Sequence, residues 1–234
     1  MKSRSLLSLG LVAVVAAPAH ATLVTLNGSS VDFVIDDNQL GLYGMPTVAG
    51  DSLLFFPTSF RAESTNGAGT HLTNGTVSFE VRSRNGAAID LGAVSVHEFG
   101  DYSLSPNSGN SVSASARLDA VNLQAPVPPA SDKWDTQQTG TLTAAGVNDW
   151  SLVTNINFRQ VWLSPTDDVQ LVVQNNLSAT SLLNGTEAWI QKKVQGMVVQ
   201  VQVVPLPAAL PLLLAGVGAF GAFMRRRGPR TVFA

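Results

Sequence analysis

Apolar side chains recur at every second position through most of this chain, a period that admits strands and excludes amphipathic helices. Val77, Phe79 and Val81 face one way while Ser78, Glu80 and Arg82 face the other. Val112, Ala114, Ala116 and Leu118 are set against Ser111, Ser113, Ser115 and Arg117. Leu152, Thr154, Ile156 and Phe158 oppose Asn155, Asn157 and Arg159. Val31, Phe33 and Ile35 form a further set, as do Val169, Leu171 and Val173, and Glu187 to Val203 reads as one strand. Ile89 to Leu104 alternates less cleanly, and Gly92 predicts a bulge there. Five Asn-Gly pairs begin at Asn27, Asn66, Asn74, Asn85 and Asn184, and such pairs suit the positive φ angles of type I′ hairpin turns. The expected fold is all-β: one antiparallel, jelly-roll-like β-sandwich over 22–203, with helix below about a tenth. Asp36 to Gly50, with Gly41, Gly44 and Pro46, reads as a loop, and so does Gln124 to Thr139, stiffened by Pro126, Pro128 and Pro129.

The two ends follow different rules. Leu206 to Met224 is 19 residues without a charge, close to the ~20 apolar residues that cross a bilayer core. Gly216, Gly218 and Gly221 suit a membrane helix better than a soluble one. Arg225, Arg226 and Arg227 follow at once and predict a stop on the cytoplasmic side. A continuous helix over about 210–227 is expected, packed little against the body. At the other end Lys2 and Arg4 precede an apolar stretch from Leu6 to Ala17, and Ala19-His20-Ala21 fits a small-x-small cleavage site. Residues 1–21 therefore read as a secretory signal peptide cut after Ala21.

The short motif Val204-Pro205-Leu206-Pro207-Ala208, the apolar run and the arginine cluster together resemble the PEP-CTERM sorting signal in its VPLPA variant. Leu206 stands where the commonest form has glutamate. The resemblance covers 204–227, with 228–234 as a short cytoplasmic tail. It implies export by a Gram-negative bacterium, transient anchoring in the membrane, and processing by exosortase. The destination it implies is the cell surface or the extracellular matrix, in association with exopolysaccharide.

Charge narrows the partners. Six of the 14 Lys+Arg lie in the two ends, which leaves 8 against 16 Asp+Glu, a net of −8 for the body. Nucleic acid needs a basic surface, so it is excluded as a partner. The chain has no cysteine, so an exported body must cohere without disulfides.

Catalytic signals fail on inspection. Gly50-Asp51-Ser52-Leu53 spells the GDSL of a hydrolase family, yet neither His71 nor His97 has an aspartate three residues before it, and the body lacks that family's helices. Asp36-Asp37 and Asp167-Asp168 lack calcium-loop spacing and read as solvated turns. His71 and His97 are isolated, so no metal, cofactor or catalytic residue is expected. Phe99-Gly100-Asp101-Tyr102 and Lys133-Trp134 offer aromatic platforms for sugar, although Trp134, Trp150, Trp162 and Trp189 suit a core equally well. Three functions stay open: a non-enzymatic surface or matrix protein, a carbohydrate-binding module, which a row of exposed tryptophans would favour and buried tryptophans would remove, and a secreted hydrolase with a carboxylate pair.

Overall fold

Each alternating run forms a strand, and its apolar phase points inward. Residues 22–86, 89–124, 133–162 and 166–205 are described by the structure, a computed structural model. In chain order the strands are β1 (Leu23–Asn27), β2 (Val31–Asp36), β3 (Thr47–Ala49), β4 (Ser52–Phe55), β5 (Arg61–Thr65) and β6 (Gly69–Ser83). β7 (Ile89–Leu104), β8 (Ser111–Asn122), β9 (Lys133–Leu142), β10 (Gly146–Asn157), the single-turn helix α1 (Phe158–Val161), β11 (Asp168–Ser181) and β12 (Glu187–Pro205) follow. The first sheet has the order β1-β2-β6-β11-β8-β9 and the second β10-β7-β12-β4-β3, with β5 also on β12. All pairings are antiparallel. The inward phases of the two sheets meet in one core, as a sandwich requires.

Helix stays at 8%, within the expected tenth. Phe158 departs from its expected strand by opening α1, but it remains buried and stacks on Trp162 at 4.9 Å. The bulge at Gly92 is present. Ala93 pairs with Gln202 and Leu91 with Val203, which leaves Gly92 as the extra residue. The inward phase of β7 switches there, which is why its alternation looked imperfect. β12 has a larger irregularity: Lys192 faces Gly100 while Met197 faces Glu98, so residues 193–196 loop out of the ladder. β5 holds β12 before that loop and β4 holds it after, while β7 runs along the opposite edge.

Two expectations need correction. Asn74-Gly75 is not a turn; it runs through β6, opposite Asn176 and Asn175. The glycine is required by packing instead: a Cβ there would meet Phe60 Cε2 at 2.5 Å. The other four pairs lie at turns, but only Asn66-Gly67 and Asn85-Gly86 have both φ angles positive. The stretch Gln124 to Thr139 is not all connector, because β9 starts at Lys133 and pairs with β8 over its whole length. The prolines precede that strand and so cost it no hydrogen bonds. The Asp36–Gly50 loop is as expected, except for the three-residue β3 at its end. Two 3-10 turns within it drive Tyr43 fully into the core against Phe55 and Phe60.

Gly100 is the tightest point of the second sheet. The Trp150 indole lies over it and donates from Nε1 to the Gln191 carbonyl at 3.1 Å. A Cβ on Gly100 would meet Gln191 O at 2.0 Å and Trp150 Nε1 at 2.2 Å, whereas one on Gly140 would meet nothing within 4 Å. Gly100→Ala should therefore destabilise the fold by about 1–3 kcal/mol or more. Gly140→Ala should be neutral or stabilising by up to ~1 kcal/mol. Urea unfolding of both variants would check the contrast; equal midpoints would refute the packing argument.

Candidate functional site

Most residues singled out at the chain ends lie outside the described residues: Ala19, Ala21, Leu206, Pro207, Ala208, Arg225, Arg226 and Arg227, together with the expected helix over 210–227. Among the described residues no helix is long and apolar enough to cross a membrane. Val204 and Pro205 are described, and they close β12 opposite Asp90 and Ile89. The last strand thus continues two residues beyond the expected body, and its proline sits at the strand end, where a missing N–H matters least.

The rejected hydrolase motif has a structural use. Asp51 accepts backbone N–H groups from Ser30 at 2.7 Å and Val31 at 3.3 Å, tying the β3–β4 turn to the β1–β2 turn. His71 and His97 sit on different sheets. Asp36 accepts from Asn38 N–H at 3.0 Å and Gln39 Nε2 at 2.9 Å within its own turn. Among the described residues no three His, Asp or Glu side chains gather to hold a metal. The side chain of Trp134, and with it the Lys133-Trp134 platform, lies outside the described residues, and the three described tryptophans do not form an exposed row. Trp150 and Trp162 are buried, and Trp189 is half-buried beneath the Arg61 guanidinium, 4.5 Å from its ring centroid. The inward placement of Trp150 follows from strand phase: it lies directly across from Gly100, whose neighbours Glu98 and Tyr102 also point in.

The outward phase of the second sheet carries a different apolar strip. Phe99 is 37% exposed, with Val153 and Val147 on the neighbouring strand β10 also exposed. Phe99, Lys193, Gln195 and Val198 line a shallow, open depression, and Asp149, Trp150 and Ser151 border its other side. The looped-out residues 193–196 form its wall. Lys193 Nζ donates to Asp149 Oδ1 at 2.6 Å, and this bond holds the amine above its usual range. Further along the face, Arg61 pairs with Glu63 at 2.9 Å and donates to Gln191 at 3.1 Å. An aromatic ring fringed by amide, carboxylate and ammonium groups can hold a ligand.

A second constellation went unseen in the sequence because its members come from four distant segments. Lys192, Glu98, Asn175 and Tyr43 meet between the sheets, each almost wholly buried. Lys192 Nζ lies 2.9 Å from Glu98 Oε2 and donates to Asn175 Oδ1 at 2.9 Å. Asn175 Nδ2 donates to Glu98 Oε1 and to the Gln174 carbonyl. The Tyr43 hydroxyl is 2.9 Å from Asn175 Oδ1 and 3.0 Å from the Gly75 carbonyl. Burial lowers the Lys192 amine, opposed by Glu98, and raises the Tyr43 phenol, reinforced by Glu98. The available signal was phase. Lys192, Glu98 and Asn175 each fall on an inward position of an otherwise apolar series.

The class that these features define is a two-sheet antiparallel β-sandwich with a shallow depression on the outer face of its second sheet. No family model and no curated protein matches the chain. Solved structures give low-scoring likenesses. A family 16 carbohydrate-binding module shares 8% identity over 74% of this chain and 84% of its own, with a TM-score of 0.22. A family 28 module specific for non-crystalline cellulose shares 13% over 82% and 99%, at 0.27. The Eiger TNF of S. frugiperda shares 11% over 57% and 91%, at 0.23. Likeness at this level carries no argument about ligand.

The Asp167-Asp168 pair is a charge problem rather than a site. The Asp168 carboxyl is pushed up to about 6, first by burial and then by Glu80 and Asp167, and Arg82 only partly offsets them. An acid that holds its proton more tightly folded than unfolded penalises folding once ionised. That penalty is complete above about pH 6 and disappears below about pH 4. Asp168→Asn should therefore be more stable than the natural chain at pH 7, with the gap closing as pH falls through that window. Thermal melts from pH 4 to 7 would test it, and a gap that widens towards acid would contradict it.

Proposed function

We propose that the body is a non-catalytic polysaccharide-binding module of an exported surface or matrix protein. The observation that carries the binding reading is the Phe99 strip. An exposed aromatic ring lies on a shallow outer face, fringed by Lys193, Asp149 and Gln195. Sugar rings stack their apolar faces on aromatic rings while their hydroxyls take hydrogen bonds from amide, carboxylate and ammonium groups. An open strip accommodates a chain that continues past both ends of the site. The net charge of −8 turns nucleic acid away from the same face. The role expected of exposed tryptophans passes to Phe99, with Trp189 as a half-covered second ring.

Sorting is the second part of the reading, and the sequence of the ends supports it. Val204 and Pro205 close β12, so the first two residues of the motif belong to the strand and Leu206-Pro207-Ala208 follow at once in the sequence. Pro205 and Pro207 favour an extended chain at that point, the form a protease needs. Exosortase and the membrane are the partners this reading requires.

Retention on a panel of cellulose, chitin and the producing cell's own exopolysaccharide would test the binding half. Phe99→Ala should weaken retention roughly tenfold with an unchanged melting temperature, and Leu72→Ala, exposed on β6 of the other sheet, should leave it unaltered. If the natural chain is retained by none of them, the binding reading fails. For the sorting half, the intact mass of the surface protein should correspond to a chain ending near Ala208. A final form still carrying Leu212 to Ala234 would mean a plain membrane anchor. Replacing Arg225, Arg226 and Arg227 by alanine should change retention or cleavage.

A further inference from the structure

The buried cluster holds an amine, a carboxamide and a carboxyl in contact, shielded from water. We propose that Lys192 and Asn175 form an intramolecular isopeptide bond, with Glu98 as the proton shuttle and Tyr43 polarising the amide. The inference stands on the cluster and is independent of the sorting and binding readings.

Geometry supplies the reactants. Lys192 Nζ is 2.9 Å from Asn175 Oδ1, and a carbonyl bond of ~1.2 Å puts Cγ within about 4 Å of the same nitrogen. That is close to the separation at which bound groups react. Glu98 spans both nitrogens, with Oε2 beside Lys192 Nζ and Oε1 accepting from Asn175 Nδ2. Tyr43 OH lies 2.9 Å from the oxygen on which negative charge would develop. The rings of Phe60 and Tyr43 cover Nζ at 5.2 and 5.9 Å. Burial favours the neutral amine, which is the nucleophilic form. With the Lys192 side chain fully buried, water has little access to compete for the carbonyl carbon.

The step balances without any outside reagent. Glu98 takes a proton from the Lys192 ammonium, and the freed lone pair forms the Nζ–Cγ bond. The carbonyl electrons move to Oδ1, against the Tyr43 hydroxyl. Glu98 passes its proton to Nδ2 and removes the second proton from Nζ. The Cγ–Nδ2 bond breaks, the carbonyl re-forms, and ammonia leaves. Ammonia takes the remaining proton as ammonium, which restores the Glu98 carboxylate. Nothing is oxidised or reduced. The product ties β11 of the first sheet to β12 of the second.

The four glutamates of the chain are Glu63, Glu80, Glu98 and Glu187. Cleavage after Glu187 separates Asn175 from Lys192, so a Glu-specific protease applied to the denatured full chain reads the bond directly. We expect the segment 99–187 and the segment beginning at Ala188 to remain joined, lighter than their sum by one ammonia. Fragment spectra should place the branch at Asn175 and Lys192. Joining is the decisive readout, because Asn-Gly pairs can also lose ammonia by cyclising on themselves. Separate fragments at unmodified mass would overturn the proposal. Glu98→Gln should leave the fragments separate while near-ultraviolet dichroism still reports a packed core; a fully joined Glu98→Gln chain would remove Glu98 from its role. Should that variant fail to fold, Tyr43→Phe keeps the ring and removes only the hydroxyl. It should lower the joined fraction, and joining as complete as in the natural chain would rule out the polarising role.

Discussion

Two opposite charges lie in the dry space between the sheets, and the packing around them depends on their meeting. Lys192 and Glu98 are tolerable there only as partners, with Asn175 accepting from the amine and donating to the carboxylate. Taking away one member of such a pair commonly costs ~3–5 kcal/mol, because the survivor is left charged in a medium that cannot solvate it. A slip of β12 by one residue would turn Lys192 outward and strand Glu98 in the core. The cluster therefore specifies register across both sheets. Hydrophobic side chains alone do this less sharply, because they tolerate exchange.

The loop-out at 193–196 follows from the same arrangement. β12 reaches the cluster with Lys192 inward, then leaves the ladder for four residues before rejoining at Met197 opposite Glu98. The displaced residues stand on the outer face as the wall beside Phe99. One irregularity thus serves both sides of the sheet, with the ion pair within and the depression without. Gly100 and Trp150 fill the space directly beneath it.

Strand positions were legible in the sequence because a half-buried strand must alternate, and Val77-Phe79-Val81 or Val112-Ala114-Ala116-Leu118 allow no other facing. The bulge at Gly92 was legible for the same reason, since it breaks the alternation. Asn74-Gly75 misled because the dipeptide suits a turn wherever it occurs, and only the neighbouring Phe60 shows why that glycine lies within a strand. The start of β9 was hidden by prolines that stop just short of it. Phe99 was visible as an aromatic, but its outward facing depended on the phase of β7 after the bulge. The buried cluster was half legible: three polar residues in inward positions mark an anomaly, but that they are neighbours is a fact of strand order. Nothing local in the sequence places β7 beside β12, or β11 across from both.

The last described strand is also an inner strand of its sheet. β12 is gripped by β7 along one edge and by β5 and β4 along the other, while β1, the first described strand, shares a hydrogen-bonded ladder with β2 alone among the described strands. Tension applied at the carboxyl end therefore enters the fold at its best-held element. It loads the cross-strand bonds of β12 side by side, in shear, and cannot peel them one at a time. Rupture under load is governed by the unfolding rate rather than by equilibrium stability. Of the described strands, the one nearest the carboxyl end is thus the best held under such a load, and β1, paired along one edge, the first to part.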